Sequence, residues 1–94
     1  MELRFYEDPE TGMPHIYGHG VTEEEAREIL ARPVESLKLE DDKRMAVGKT
    51  FGGRHLCVVY VPDPEPDSVF VITAYEMRGK FLKAYRRRQR RRGP

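Results

Sequence analysis

A chain of 94 residues, 38% hydrophobic and 35% charged, has the content of one small domain that buries roughly 60 to 70% of its unfolded surface. Its longest apolar run, Leu56 to Val61, falls far short of the ~20 residues of a membrane span, and MELRFYEDP is too charged for a signal peptide, so a cytoplasmic location with no membrane contact is expected. The single Cys57 cannot form an internal disulfide, which agrees with a reducing compartment. The formal charge of +1 hides a dipole: residues 78 to 94 hold nine Lys or Arg and no acid (+9), whereas residues 1 to 77 hold eight against sixteen acids (−8). An arginine-dense terminus attracts phosphates even in a chain of near-neutral pI.

Taken in order, ELRFYE alternates well enough for a first strand, and Asp8-Pro9-Glu10-Thr11-Gly12 reads as a tight turn. Met13 to Gly20 contains Pro14, Gly18 and Gly20, so His15, Tyr17 and His19 are expected on irregular or briefly extended backbone. Thr22 is a good N-cap with Glu25 completing a capping box, and the helix from Glu23 to about Arg32 buries Ala26, Ile29 and Leu30 before Pro33 stops it. Val34 to Leu39 can form a strand, and Glu40-Asp41-Asp42 turns the chain. Gly52-Gly53 suits a two-residue hairpin loop, which would set Phe51 opposite Arg54, Lys49 opposite Leu56, Val47 opposite Val58 and Met45 opposite Tyr60. Helices are expected on that bulkier side, leaving Arg44 and His55 on a barer functional surface. The prolines of 62 to 68 demand a loop, and Val69 to Tyr75 is a strand. Met77, Phe81, Ala84 and Tyr85 then recur at helical spacing, predicting a helix from Arg78 to about Arg88 that packs Met77, Phe81 and Tyr85 on the sheet.

The expected architecture is α+β: an antiparallel sheet of four or five strands with an early acidic-fronted helix and a C-terminal basic helix. Residues 1–94 form one domain, of which 86–94 are a frayed basic tail.

Three histidines among many cations suit one cofactor-free reaction, cleavage of RNA through its own 2′-hydroxyl. It needs a base, an acid and cations that stabilise the phosphorane's charge. His15 and His19 have i,i+4 spacing, but Pro14 and Gly18 argue against the helix that would align them, so no metal is expected. The bland readings are that His19 hydrogen-bonds the start of the helix at Thr22, that Cys57 is core, and that Tyr75 and Tyr85 pack.

FYEDPETGMPHIYGHGVTEEEA, VGKTFGGRHLCVVY and ITAYEMRGKFLKAY resemble the three blocks of the BrnT-type ribonuclease toxins, small RelE-like proteins, and of a related family of uncharacterised small domains. The likeness lies at Asp8-Pro9, His19-Gly20-Val21 and Glu24-Glu25-Ala26, at Gly48, Gly53-Arg54, Leu56 and Val58-Val59-Tyr60, and at Ile72, Ala74 and Tyr85. The resemblance implies a RelE/BrnT-like fold, cleavage of messenger RNA, and inhibition by a cognate antitoxin, a small DNA-binding protein whose complex represses its own operon. Departures fall where chemistry would lie: Thr11 replaces a lysine, His15 an asparagine, Tyr75 an arginine and Phe81 a glutamate.

The catalytic candidates are therefore His19 as base or acid, Arg54 on the scissile phosphate and Tyr75 as a donor in place of the missing arginine. RNA contacts are expected from His15, Arg44, His55, Arg78, Lys80, Lys83, Arg86 and Arg87. A second reading is a non-catalytic nucleic-acid or protein-binding module using the basic helix, and a third is a homo-oligomer in which the acidic body of one copy meets the basic tail of another.

Overall fold

The computed structural model describes residues 1–65 and 67–92. Five strands, β1 (Glu2–Phe5), β2 (Glu35–Lys38), β3 (Arg44–Lys49), β4 (His55–Pro62) and β5 (Ser68–Glu76), form one sheet in the order β1-β5-β4-β3-β2. From β2 to β5 the chain meanders antiparallel, as the short polar connections require. The first strand departs from the expected all-antiparallel sheet: β1 lies parallel to β5, Leu3 opposite Val69 and Phe5 opposite Val71. The sheet is therefore mixed.

Two helices cover opposite faces. α1 (Glu23–Ala31) has the predicted capping box, with the Glu25 N–H donating to Thr22 Oγ1 and the Thr22 N–H to Glu25 Oε1, both at 3.1 Å. With a 3-10 helix at His15–His19 it covers Ala46, Leu56, Val58, Val71 and Ala74, and buries Ile16, Val21, Ala26 and Ile29. α2 (Gly79–Arg92) covers the other face, where Tyr85 and the preceding Met77 join Met45, Val47, Cys57 and Val59. Val71 and Ala74 share a face despite odd spacing because a bulge at Ile72 lets β5 pass Val59/Tyr60 with one extra residue.

The hairpin register differs from expectation by one residue. Lys49 pairs with His55 and Val47 with Cys57, because the loop holds three residues, Phe51 to Gly53, instead of two. Thr50 closes it: its N–H donates to the Arg54 carbonyl at 2.8 Å and its Oγ1 accepts the Arg54 N–H at 3.0 Å, while Gly53 takes φ 94°. In a period of two, that single residue exchanges the partners on both faces, so Arg44 and His55 fall on opposite faces rather than on one bare side, and α1 and α2 each cover one face.

α2 also differs. Phe81 stays exposed and Leu82 packs inward instead, and the helix continues to Arg92, past the expected end near Arg88. The cause is an anchor on the edge strand: Glu35, its side chain 8% exposed, accepts from Arg88 Nε at 2.8 Å, Arg88 Nη2 at 2.9 Å and Gln89 Nε2 at 2.9 Å. Positions 86 to 92 of the expected frayed tail are therefore helical, and 93 and 94 lie outside the described residues. No helix among the described residues is long and apolar enough to cross a membrane.

Candidate functional site

The chemistry-bearing residues fall into two groups separated by the sheet. The first lies on the 3-10 helix. Pro14 precedes it, buried Ile16 plugs it into the core, and Gly20 ends it with φ 72° in the left-handed region. With Ile16 facing inward, the two histidines face out and meet. His15 Nδ1 lies 2.8 Å from Asp8 Oδ1, and His15 Nε2 lies 3.3 Å from His19 Nε2. The expectation that Pro14 and Gly18 would keep these rings apart is corrected here: both residues are compatible with a single 3-10 turn, and that turn suffices. A carboxylate can only accept, so His15 Nδ1 carries the proton and its Nε2 presents a lone pair to His19 when the ring is neutral. Tyr6 stands tilted against His15 at 6.0 Å between centroids.

Arg54 sits beside this turn, as the sequence suggested, but its guanidinium is occupied. Nη1 donates to the Gly20 carbonyl at 2.9 Å and to both Glu25 oxygens at 2.8 and 2.9 Å, and Nη2 reaches Glu76 Oε1 at 3.4 Å. Burial opposes ionisation of Glu25, yet the Thr22 N–H and Arg54 outweigh it and hold its pKa below 4.5. Arg54 thus locks the end of the 3-10 helix, the start of α1 and the end of β5 together. Arg78, almost fully exposed, shares Glu76 Oε1 at 3.3 Å, so the entrance to α2 lies at this same end of the molecule.

Tyr75 does not join them. It pairs with Cys57 across the ladder and packs in the core under α2, on the far side of the sheet from Arg54. Burial, then the neighbouring Cys57, raises its phenol pKa. His55 lies on that far side too, its ring 5.7 Å from Tyr85 edge to face. Burial first, then the charges of Arg86 and Lys49, depress its pKa below 6.5. Arg44 occupies the other end of β3, roughly 17 Å from Lys49. The expected constellation of His19, Arg54 and Tyr75 is therefore not assembled around one phosphodiester.

The second group is α2 itself. At 100° per residue, Lys80, Lys83, Arg87, Arg90 and Arg91 project opposite the inward Leu82, Tyr85 and Gln89, with Arg86 on the flank. All six cations are exposed, and among the described residues none pairs with a carboxylate. From Lys80 to Arg91 the stripe is about 17 Å long. Sequence reasoning named Lys80, Lys83, Arg86 and Arg87 but missed Arg90 and Arg91, assigning them to the tail. It also gave Asp8 no chemical role, reading it as part of a turn and of the family likeness; the signal for it is the hairpin-like closure of 8–13, whose ends carry Asp8 back toward His15.

The segments that carry the two groups have opposite sign. Residues 1 to 25 carry seven acids (Glu2, Glu7, Asp8, Glu10, Glu23, Glu24, Glu25) against Arg4 alone, whereas α2 carries eight Lys or Arg and no acid. No protein-family model matches the chain, and comparison with curated proteins and with solved structures gives no match either.

Proposed function

We propose that this protein is a nucleic-acid-binding domain that grips a phosphate backbone along the outer face of α2. The observation that carries the reading is the stripe Lys80, Lys83, Arg87, Arg90 and Arg91, unpaired among the described residues and held on one rigid helix because Arg88 and Gln89 are clasped by Glu35. A stripe of about 17 Å matches roughly five phosphates of one strand. Such contacts act through charge and spacing, so the binding is strong at low salt and indifferent to sequence.

A salt titration tests it. For a single strand the slope of log affinity against log salt is about −0.7 per neutralised phosphate, so five contacts give roughly −3.5. Replacing Lys83, Arg87 and Arg90 together by Gln is expected to flatten the slope by about 2, leaving the fold intact because none of the three touches the core. An unchanged slope overturns the reading. Truncation after Tyr85 is not a clean test, since it also removes Arg88 and Gln89 from Glu35. If the stripe instead meets the acidic body of a second copy, sedimentation at low salt without nucleic acid shows the dimer and affinity for RNA is lost.

The second reading is the endoribonuclease toxin with its antitoxin partner. The Asp8–His15–His19 relay favours it, since a carboxylate-oriented imidazole beside a second imidazole can take a proton from a 2′-hydroxyl and return one to the leaving oxygen. In this reading His19 and His15 carry the chemistry and Arg54 positions the turn, while the α2 cations, across the sheet, hold only a distant part of the strand. Against it stands the excess of acids in the segment that carries the relay, which repels phosphate, with Arg54 already occupied by Glu25. Incubating long RNA with the protein in EDTA, beside His19→Ala, decides it: no cleavage above the variant removes the nuclease.

A further inference from the structure

The geometry points to a two-histidine site for a divalent transition metal of the Zn2+ class, formed by His15 Nε2 and His19 Nε2 with Asp8 as the carboxylate behind it. Neither the nucleic-acid reading nor the nuclease reading is needed for it. The first observation is the separation of the two Nε2 atoms, 3.3 Å. Two nitrogens on a tetrahedral zinc at 2.0–2.1 Å lie ~3.3 Å apart, so a metal can enter between the rings with little movement of either. The second is the carboxylate: Asp8 Oδ1, 2.8 Å from His15 Nδ1, fixes the tautomer that leaves Nε2 free to ligate, the arrangement that orients and strengthens histidine ligands in metal sites.

The third is access and sign. The His15 and Asp8 side chains are about one-third exposed, so a hydrated ion reaches the pair, and the segment 1–25 that carries it holds six more acids than bases, which draws cations even with Glu25 paired to Arg54. The turn is also fixed before any ion arrives: Ile16 is buried, and the Val21 and Gly20 N–H groups close on the Ile16 and Tyr17 carbonyls at 3.1 and 3.0 Å.

Proton balance is simple. With both rings neutral, His19 Nε2–H donates to the His15 Nε2 lone pair in the metal-free turn; on binding, that proton moves to His19 Nδ1 and both Nε2 lone pairs face the ion, so starting from this state no proton is released. Among the described residues no group of three His, Cys, Asp or Glu forms a closed cage, so water or an exogenous ligand fills the remaining positions. Imidazole pairs of this kind prefer Zn2+, Ni2+ and Cu2+ over Mg2+ or Ca2+. A bound ion also occupies the lone pairs that proton transfer would need, so metal loading and acid–base chemistry at this turn exclude each other.

The test is calorimetric titration of EDTA-stripped full-length protein with ZnCl2, alongside imidazole proton NMR. One equivalent is expected to bind in the micromolar range and to shift the His15 and His19 ring signals while leaving those of His55, which lies across the sheet. His15→Ala and His19→Ala each weaken binding by about tenfold or more, as half of the protein ligands go, and Asp8→Asn weakens it by roughly tenfold with both ligands still present. His55→Ala has no effect. Circular dichroism of each variant establishes that the fold persists. Undiminished binding in His19→Ala, or perturbation of His55 ahead of the other two rings, overturns the proposal, as does the absence of any heat or shift in the wild type.

Discussion

Arg54→Ala separates a residue that holds the fold from one that holds a ligand. The side chain is 32% exposed and donates to the Gly20 carbonyl and to Glu25, with a longer contact to Glu76. Protected hydrogen bonds to charged groups contribute about 1.5–3 kcal/mol each, and exposed ion pairs about 0–1; a one-third-exposed guanidinium lies between, so the whole set is worth about 2 kcal/mol. For a domain of this length each kcal/mol moves Tm by roughly 4–8 °C, so Arg54→Ala is expected to melt about 10 °C lower. Glu25→Gln keeps the cap to Thr22 but loses the charge, and the double variant with Arg54→Ala should show a coupling of about 1 kcal/mol. Thermal unfolding by circular dichroism reads all three. A Tm within about 2 °C of wild type for Arg54→Ala, joined to loss of RNA affinity, would refute the structural role and restore Arg54 as a phosphate ligand.

The buried Cys57 thiol, pushed by burial to about 11, is expected to resist iodoacetamide at pH 8 and to react only on unfolding, so labelling as fast as free cysteine contradicts its place under α2. Acid should destabilise the protein in two stages. His55 has a folded pKa below 6.5, so its contribution is complete above pH 6.5 and is lost as pH falls through that lower value. Glu25 and Glu35 are held below 4.5, so theirs is complete above 4.5 and is lost as pH falls further. Tm against pH measures both, and Arg86→Gln should raise the His55 titration midpoint seen by NMR; an unmoved midpoint means that Arg86 does not face that ring.

The capping box at Thr22, the stop at Pro33, the tight turn before Met13, the burial of Cys57 and the charge segregation were legible in the sequence because each depends on neighbours a few residues apart. The hairpin register was not, since a three-residue loop closed by the Thr50 side chain competes with the two-residue loop that Gly52-Gly53 suggests. The inward choice of Leu82 over Phe81 was equally open, because both lie about one turn before Tyr85 and only the position of the sheet selects between them.

What the sequence determined by itself is therefore local: the existence and order of most helices and strands, both ends of α1, and which end of the chain carries positive charge. The tertiary structure alone decided that β1 joins β5 in parallel, that the sheet separates Tyr75 and His55 from His19 and Arg54, and that the arginine run is a helix clasped at Glu35. It also turned Arg54 inward and brought Asp8, His15 and His19 into line. Apart from the Asp8–His15–His19 alignment, which spans only a few residues and needed the 3-10 turn, each of these depends on which residues meet across long stretches of chain, and contacts of that range leave no periodic trace in the sequence.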